Sequence, residues 1–414
     1  MQAGTARRAW IWGLIAAILA GVVLRLLWVE DMEFKGDELW NFECTQHMGR
    51  DQPVPWLGPP TSFEIRHPAG TVWIVVALGR LFHVQEPTDL CRSVQILNIA
   101  AIFLLLGFAL WAVPRGEREP WLWAAALGSV NPVAVLFHRK IWQPCMLPFF
   151  VMVLLICWWY RHRRAGAFCW GLLGGFLGFL YPAGMFLAAG FALWALLFDR
   201  RNVRWRWWLP GSALGALPLL PWFHYVLTEV AANPISQRRW THVLEFKFWM
   251  RWLTEPFGLS LDYALGDDFD DFLAYPLVSG QPTYLIGALH VVLLVGVLTL
   301  VGWLCVRLWR ERANWGNLWI GRESRTALTQ NACLWGFGLV FTLSLLPVHR
   351  HYMIITFPLM FLWLARVTLA PRWRDGSEWI SGRGFLAAVW VAQLLISIGF
   401  LCYIHVNQRP IRGD

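Results

Sequence analysis

Two carboxylates stand side by side in the segment Lys35-Gly36-Asp37-Glu38-Leu39-Trp40, just beyond the first apolar run of the chain. A carboxylate at the rim of a low-dielectric cavity is raised in pKa by desolvation and can take a proton from a hydroxyl nucleophile, so Asp37 and Glu38 are candidate general bases. A plainer reading is compatible with this one: Asp37 as N-cap and Glu38 as a first-turn residue of a helix over 38–48. Cations recur in four short clusters, Arg66-His67, His138-Arg139-Lys140, Arg238-Arg239 and His349-Arg350-His351. Guanidinium groups bind phosphate oxygens through paired, charge-assisted bonds, so such clusters suit a phosphate or pyrophosphate; anchoring on lipid headgroups is the alternative.

The elements that must position these residues are hydrophobic. The 414 residues are 57% hydrophobic and 15% charged, with thirty Trp and a mean hydropathy of +0.46, whereas a soluble domain carries about 25% charged residues. Apolar runs near the ~20 residues needed to cross ~30 Å of hydrocarbon recur along the chain and leave no stretch for a separate soluble domain. The composition therefore predicts an all-α polytopic membrane protein, with residues 1–414 as one membrane domain. Its first run, 10–29, is too long for a secretory signal and lacks a small-residue cleavage site, so it reads as a retained anchor.

Arginine supplies all but three of the basic residues (Lys35, Lys140 and Lys247 are the lysines), a bias that points to a GC-rich bacterial genome. The net charge of +9 sits in short loops between apolar runs, as the positive-inside rule places it, and not in a nucleic-acid-binding domain. Eight cysteines are scattered without CxxC or zinc-ligand spacing, and no metal site is expected. Cys44 and Cys91 fall on the same side in this reading, and whether they pair is open.

The spans read as 10–29, 94–113, 121–137, 146–160, 167–181, 183–198, 207–227, 284–309, 332–346, 352–369 and 385–406. A twelfth stretch, 69–82, is short, contains Arg80 and follows His67-Pro68, which fits a re-entrant or interfacial helix. If it does not cross, the Arg-rich loops at 161–164, 199–206, 310–325 and 371–374 all share the side of Arg7 and Arg8; if it crosses, all four oppose the charge rule. The expectation is eleven transmembrane helices, N-terminus cytoplasmic and C-terminus outside. A long first outer loop, 30–92, then carries a partly embedded helix that roofs a cavity.

In that frame Gly36-Asp37-Glu38, then Phe63-Glu64-Ile65-Arg66-His67-Pro68-Ala69-Gly70, then Asn131-Pro132 with His138-Arg139-Lys140-Ile141-Trp142-Gln143-Pro144 and Leu147-Pro148, resembles the GT-C membrane glycosyltransferases. The similarity is to the protein-mannosyltransferase-like branch, which includes the lipid A aminoarabinose transferases and the RgtA/B/C/D-like enzymes. It covers about the first 200 residues in order. It implies a catalytic module at 1–227, an outer loop at 228–282 and C-terminal helices at 283–414. The implied activity is transfer of a sugar from a polyprenyl-phosphate donor to a lipid, glycan or protein acceptor, on the outer face of a bacterial inner membrane. Asp37 matches the acid that acts on the acceptor hydroxyl and Glu38 the second acid, while Arg66 and His67 match substrate contacts. Many relatives carry an acid in the second outer loop; here that place reads Arg139-Lys140-Ile141-Trp142-Gln143. The departure argues against a divalent metal and favours phosphate binding by Arg139 and Lys140; no cofactor is expected, and His138 and Arg350 are further candidate substrate contacts.

Other residues weigh less. The acidic run 266–271 lacks the spacing and closing Glu of an EF-hand and reads as a solvated loop. Arg25 and His290 are intramembrane ionisable residues, Arg25 close enough to an end to snorkel. Most Trp are expected in the interfacial belt and the core. Two other classes compete with a transferase: a transporter or flippase of a lipid-linked sugar, against which stands the lack of an internal repeat, and a non-catalytic membrane assembly protein.

Overall fold

The computed structural model describes residues 2–60, 65–230, 241–312, 315–370 and 382–407. Phe63-Glu64, Arg238-Arg239, Trp240 and the 371–374 loop lie outside the described residues. Within them the chain is almost all helix, broken only by two small two-stranded ribbons. Three described helices are long and apolar enough to cross a membrane: Pro87–Trp111, Leu285–Arg310 and Gly382–Asn407. A fourth crossing results if Arg350–Thr356 and Leu359–Leu369, bent by 71° at their junction, act as one span. Leu285–Arg310 turns Leu294, Val295 and Leu298 outward, each more than half exposed, as a lipid-facing helix would.

Eleven unbroken spans are not what forms, and proline accounts for several of the breaks. The first run becomes α1 (Gln2–Leu26). Beyond the first loop, α4 (Pro87–Trp111) is followed by a run that Asn131-Pro132 divides into α5 (Arg118–Val130) and α6 (Pro132–Phe137). Asn131 caps α6 by accepting from Ala134 N at 3.0 Å, with Pro132 at the first helical position where no N–H is needed. Then come α7 (Leu147–Trp159), α8 (Arg164–Leu180) and α9 (Pro182–Phe198), two of them opened by proline in the first turn. The stretch expected as one span over 207–227 is cut by Pro218 and Pro221 into α10 (Trp205–Ala216), a 3₁₀ turn and a short helix.

The first loop folds as a layer of its own. α2 (Gly36–His47), β1 (Leu57–Pro60), β2 (Arg66–Pro68) and α3 (Gly70–Leu81) follow in order. At 12 residues, α3 is about 18 Å long, too short to cross ~30 Å of hydrocarbon. Val72 and Val75 of α3 share a buried cluster with Leu90 and Val94 of α4 and with Ile141 and Met146, so the layer lies on the bundle end where α4 and α7 begin. Gly70 permits this closeness, since a Cβ there would stand 2.5 Å from Phe179 O of α8. Tryptophan supplies the largest side chains of the interior: Trp121, Trp158, Trp159, Trp170 and Trp252 are fully buried. Trp121 and Trp158 donate to Thr326 Oγ1 and Thr329 Oγ1 at 3.0 and 2.9 Å, which spares their N–H groups a desolvation cost.

Candidate active site

The two adjacent carboxylates have separate fates. α2 begins at Gly36, so its N-cap is Lys35 and not Asp37. Glu38 reaches back to accept the Lys35 backbone N–H at 3.2 Å, half of a capping box. It is buried, and burial raises its pKa, with Lys140 opposing and Glu33 adding to the shift. Asp37, one residue earlier, is exposed and accepts the indole N–H of Trp142 at 2.9 Å. The exposed carboxylate and the capping carboxylate are thus neighbours with different surroundings.

Trp142 ties Asp37 to the second loop. Lys140 Nζ stands 5.1 Å from the Trp142 ring centroid and pairs with Glu33, which also bridges to Lys35 at 3.1 Å. Burial lowers the Lys140 pKa, but Glu33, together with Cys145 and Glu38, outweighs it and holds the ammonium above its ordinary value. The Trp142 ring meets His351 at 4.7 Å edge to face, His351 meets Tyr181 at 6.5 Å, and Tyr181 stacks on His67 at 5.3 Å. Tyr352 closes the group, 4.4 Å from His351 and 5.9 Å from Tyr181. The chain therefore brings Asp37, Lys140, His67 and His351 to one aromatic-walled surface. Burial pushes His67 down to about 4, so its imidazole is neutral at physiological pH. Among the described residues neither His67 Nδ1 nor His351 Nδ1 has a hydrogen-bond partner. Both are placed to engage a polar ligand, for which a buried, unpaired nitrogen is a ready site.

His138 and Arg139 depart from the expectation. Arg139 Nη1 donates to Leu24 O at 2.9 Å and Leu27 O at 2.5 Å, and Nη2 to Trp28 O at 2.8 Å. With Arg25 O at 3.3 Å these are carbonyls at the end of α1, Trp28 O being shared with the Asp31 N–H, and a guanidinium there also complements the helix dipole. His138 accepts from Arg25 at Nδ1, and burial, aided by the Arg25 charge, drives it well below the ordinary imidazole range. It is neutral, not a cation. Arg25 itself does not snorkel: it is fully buried and also holds Gly21 O, Gly128 O and Ser129 O, locking α1 to the end of α5. Sequence reasoning read the three adjacent cations as one anion site because charge alone does not reveal which donors helix ends consume. Only Lys140 of the three borders the aromatic surface.

The remaining residues divide similarly. Arg66 is exposed and holds Gly58 O through Nε at 3.0 Å. Arg350 is turned to the 255–262 segment, where it pairs with Asp262 at 2.5 Å and donates to Ser260 O at 3.2 Å. Beside it Glu255 is buried, accepts from Ser260 Oγ at 2.8 Å, and is pushed up to about 7 by burial. Arg350, Glu255 and His138 line a narrow cavity of ≈ 20 Å³, room for about one water. Cys44 and Cys91 are both buried free thiols, Cys91 donating to Arg139 O at 3.0 Å. His290 bonds Ile286 O at 2.9 Å and packs against Phe269 and Phe272. The acidic run is mostly exposed, Asp270 and Asp271 lying in the first turn of a short helix. Among the described residues no three His, Cys, Asp or Glu side chains gather as a metal would require.

Glu33, Trp142, Tyr181 and Tyr352 were not singled out from the sequence as site residues. Trp142 stood inside a quoted motif, yet nothing local distinguishes an indole that orients a carboxylate 105 positions away from one in the core. Comparison with protein-family models, with curated proteins and with solved structures finds no match.

Proposed function

We propose that the chain is a membrane glycosyltransferase that moves a sugar from a polyprenyl-phosphate donor to an acceptor hydroxyl. The observation that carries the reading is the exposed Asp37 carboxylate, aimed by the Trp142 indole beside Lys140 and the His67, Tyr181 and His351 surface. In this reading Asp37 accepts the proton of the acceptor hydroxyl as its oxygen forms a bond to the anomeric carbon. The bond from that carbon to the phosphate oxygen breaks in the same displacement, inverting the centre, and polyprenyl phosphate leaves with the electron pair. Lys140, Arg66 and, through a shift away from Asp262, Arg350 are the cations suited to the phosphate, whose charge grows in an oxocarbenium-like transition state. Neutral imidazoles and tyrosines beside Trp142 suit sugar hydroxyls and the sugar's apolar face. No metal enters the scheme.

The accompanying topology is eleven passes, N-terminus cytoplasmic, with the shorter helices paired end to end or met by local thinning to complete the crossings in a bacterial inner membrane. The α2 to α3 layer then lies on the outer face. The distribution of arginine loops supports this, and a reporter fused at Gln85 tests it: a cytoplasmic signal there overturns the topology. The chemistry is tested by Asp37→Asn. Asn keeps an acceptor for the Trp142 N–H but cannot take a proton, so sugar transfer should fall at least about 100-fold while the protein still inserts and binds donor. Lipid extracts and surface glycans compared by mass spectrometry give the readout, and undiminished product ends the general-base assignment.

A further inference from the structure

α7 and α9 both start at the Asp37 end, next to Trp142 and Tyr181, and finish at Arg161 and Asp199. With 13 and 17 residues they span about 20 and 25 Å, so their far ends mark the opposite end of the bundle. There a cavity of ≈ 700 Å³ opens, the size of a small-molecule site. Its polar walls are Arg161, His162, Asp199, Arg322, Ser324 and Arg325. Three guanidiniums face one carboxylate, and that carboxylate is already engaged: Asp199 accepts from Arg161 at 2.5 Å and from Asn202 at 2.7 Å. Arg322 and Arg325 are exposed at the cavity edge, leaving an excess of two positive charges over the space. The field is felt nearby: His162 is held below the ordinary imidazole range by burial first, then by Arg325, Arg163, Arg161 and Arg204.

Positive loops alone are what the charge rule delivers at a membrane edge, and they need no cavity. Here the guanidiniums instead ring a concave space, and Arg161 is held rigid by Asp199 and by Trp158 O at 2.9 Å, with its guanidinium 4.2 Å from the Trp158 ring centroid. One fixed, buried guanidinium, Arg161, with two exposed ones at the rim of a void of this size matches the tetrahedral oxygens of phosphate better than any neutral ligand. Across the 321–325 turn lies a second cavity of ≈ 170 Å³, with Leu304, Trp319, Leu334 and Trp363 on its apolar side and Arg307 and the Arg366–Glu323 pair on its polar side. The apolar side offers a slot for a hydrocarbon chain beside the basic cavity.

We propose that the cavity between the far ends of α7 and α9 and the 321–325 turn is a binding site for a phosphate-bearing anion, separate from the Asp37 surface. The phosphate comes either from an anionic lipid headgroup, with a chain in the neighbouring apolar slot, or from a soluble phosphate compound. Arg322 and Arg325 are its principal contacts, and Arg161 supplies the fixed inner charge.

Full-length protein in neutral detergent micelles is titrated with inorganic pyrophosphate by calorimetry, and with phosphatidylglycerol under native mass spectrometry. Arg322→Gln/Arg325→Gln should weaken the bound species at least about tenfold, the loss expected for a charge-assisted hydrogen bond. Arg322→Lys/Arg325→Lys should recover part of it. Arg50→Gln/Arg92→Gln, which removes the same charge at the Asp37 end, should change nothing. Lipid binding without pyrophosphate binding supports the site and identifies the headgroup as source; pyrophosphate binding without lipid binding supports it with a soluble ligand. Binding of neither probe, or equal weakening by the two Gln pairs, overturns the proposal. Because Arg322 and Arg325 are exposed, the melting temperature should hold; if it falls, the Lys pair decides, and failure of that pair to bind better than the Gln pair also overturns it. The Asp37→Asn variant should bind as wild type, which keeps this result independent of the transferase reading.

Discussion

Arg139→Ala is a stability mutation and not a substrate-binding mutation if the geometry of the α1 terminus governs. Removing the guanidinium strands three carbonyls, Leu24 O, Arg25 O and Leu27 O, that it now holds at 2.9, 3.3 and 2.5 Å, while Trp28 O keeps the Asp31 N–H. At about 1 to 1.5 kcal/mol for each buried acceptor left unmade, the cost is about 4 kcal/mol. With an unfolding entropy near 2.1 cal/mol/K per residue, that corresponds to a fall in Tm of about 5 °C for a chain of this length. Intrinsic fluorescence of the purified protein during heating is the assay, thirty Trp giving a large signal. Arg139→Lys should fall between, since one ammonium reaches fewer of the three carbonyls. Folded Arg139→Ala should keep its affinity for a polyprenyl-phosphate sugar. Unchanged melting with lost donor binding would refute the capping argument and restore Arg139 as a phosphate ligand.

Trp142→Phe keeps the ring against His351 but removes the N–H that holds Asp37; transfer activity should drop about tenfold with melting nearly unchanged, and wild-type turnover would remove Trp142 as a positioning residue. Glu255 sits at about 7 against an ordinary 4.5, so its contribution favours the fold fully below pH 4.5 and disappears as pH rises through 7. The gap corresponds to about 3 kcal/mol, and Glu255→Gln should therefore be the more stable protein at pH 8 and lose this part of the pH dependence, as melting curves from pH 5 to 9 would record. Gly70→Ala forces a methyl to within 2.5 Å of Phe179 O; it should cost about 1 to 3 kcal/mol and reduce activity by moving His67, whereas normal melting and activity would show that α3 has room to shift.

Much of the architecture was legible in the chain. Apolar runs mark where most helices form, but Asn131-Pro132 caps a new helix inside the run read as one span over 121–137. Asp37 and Glu38 were legible as an acidic pair beyond an apolar run, but not which of the two stays exposed and which caps the helix. Span integrity was less legible, since Pro218, Pro221 and the bend before Leu359 interrupt runs that composition alone reads as continuous. What only the tertiary structure decided is which polar groups are already taken. Glu38 spends its carboxylate on Lys35 N, Arg139 on the end of α1 and His138 on Arg25, while Trp142 joins Asp37 from the other side of the site. The sequence determines the inventory of charges and the helices that carry them. Hydrogen bonds between groups about a hundred residues apart determine which of those charges remain for a ligand, because a buried donor or acceptor must be satisfied by whatever the fold brings beside it.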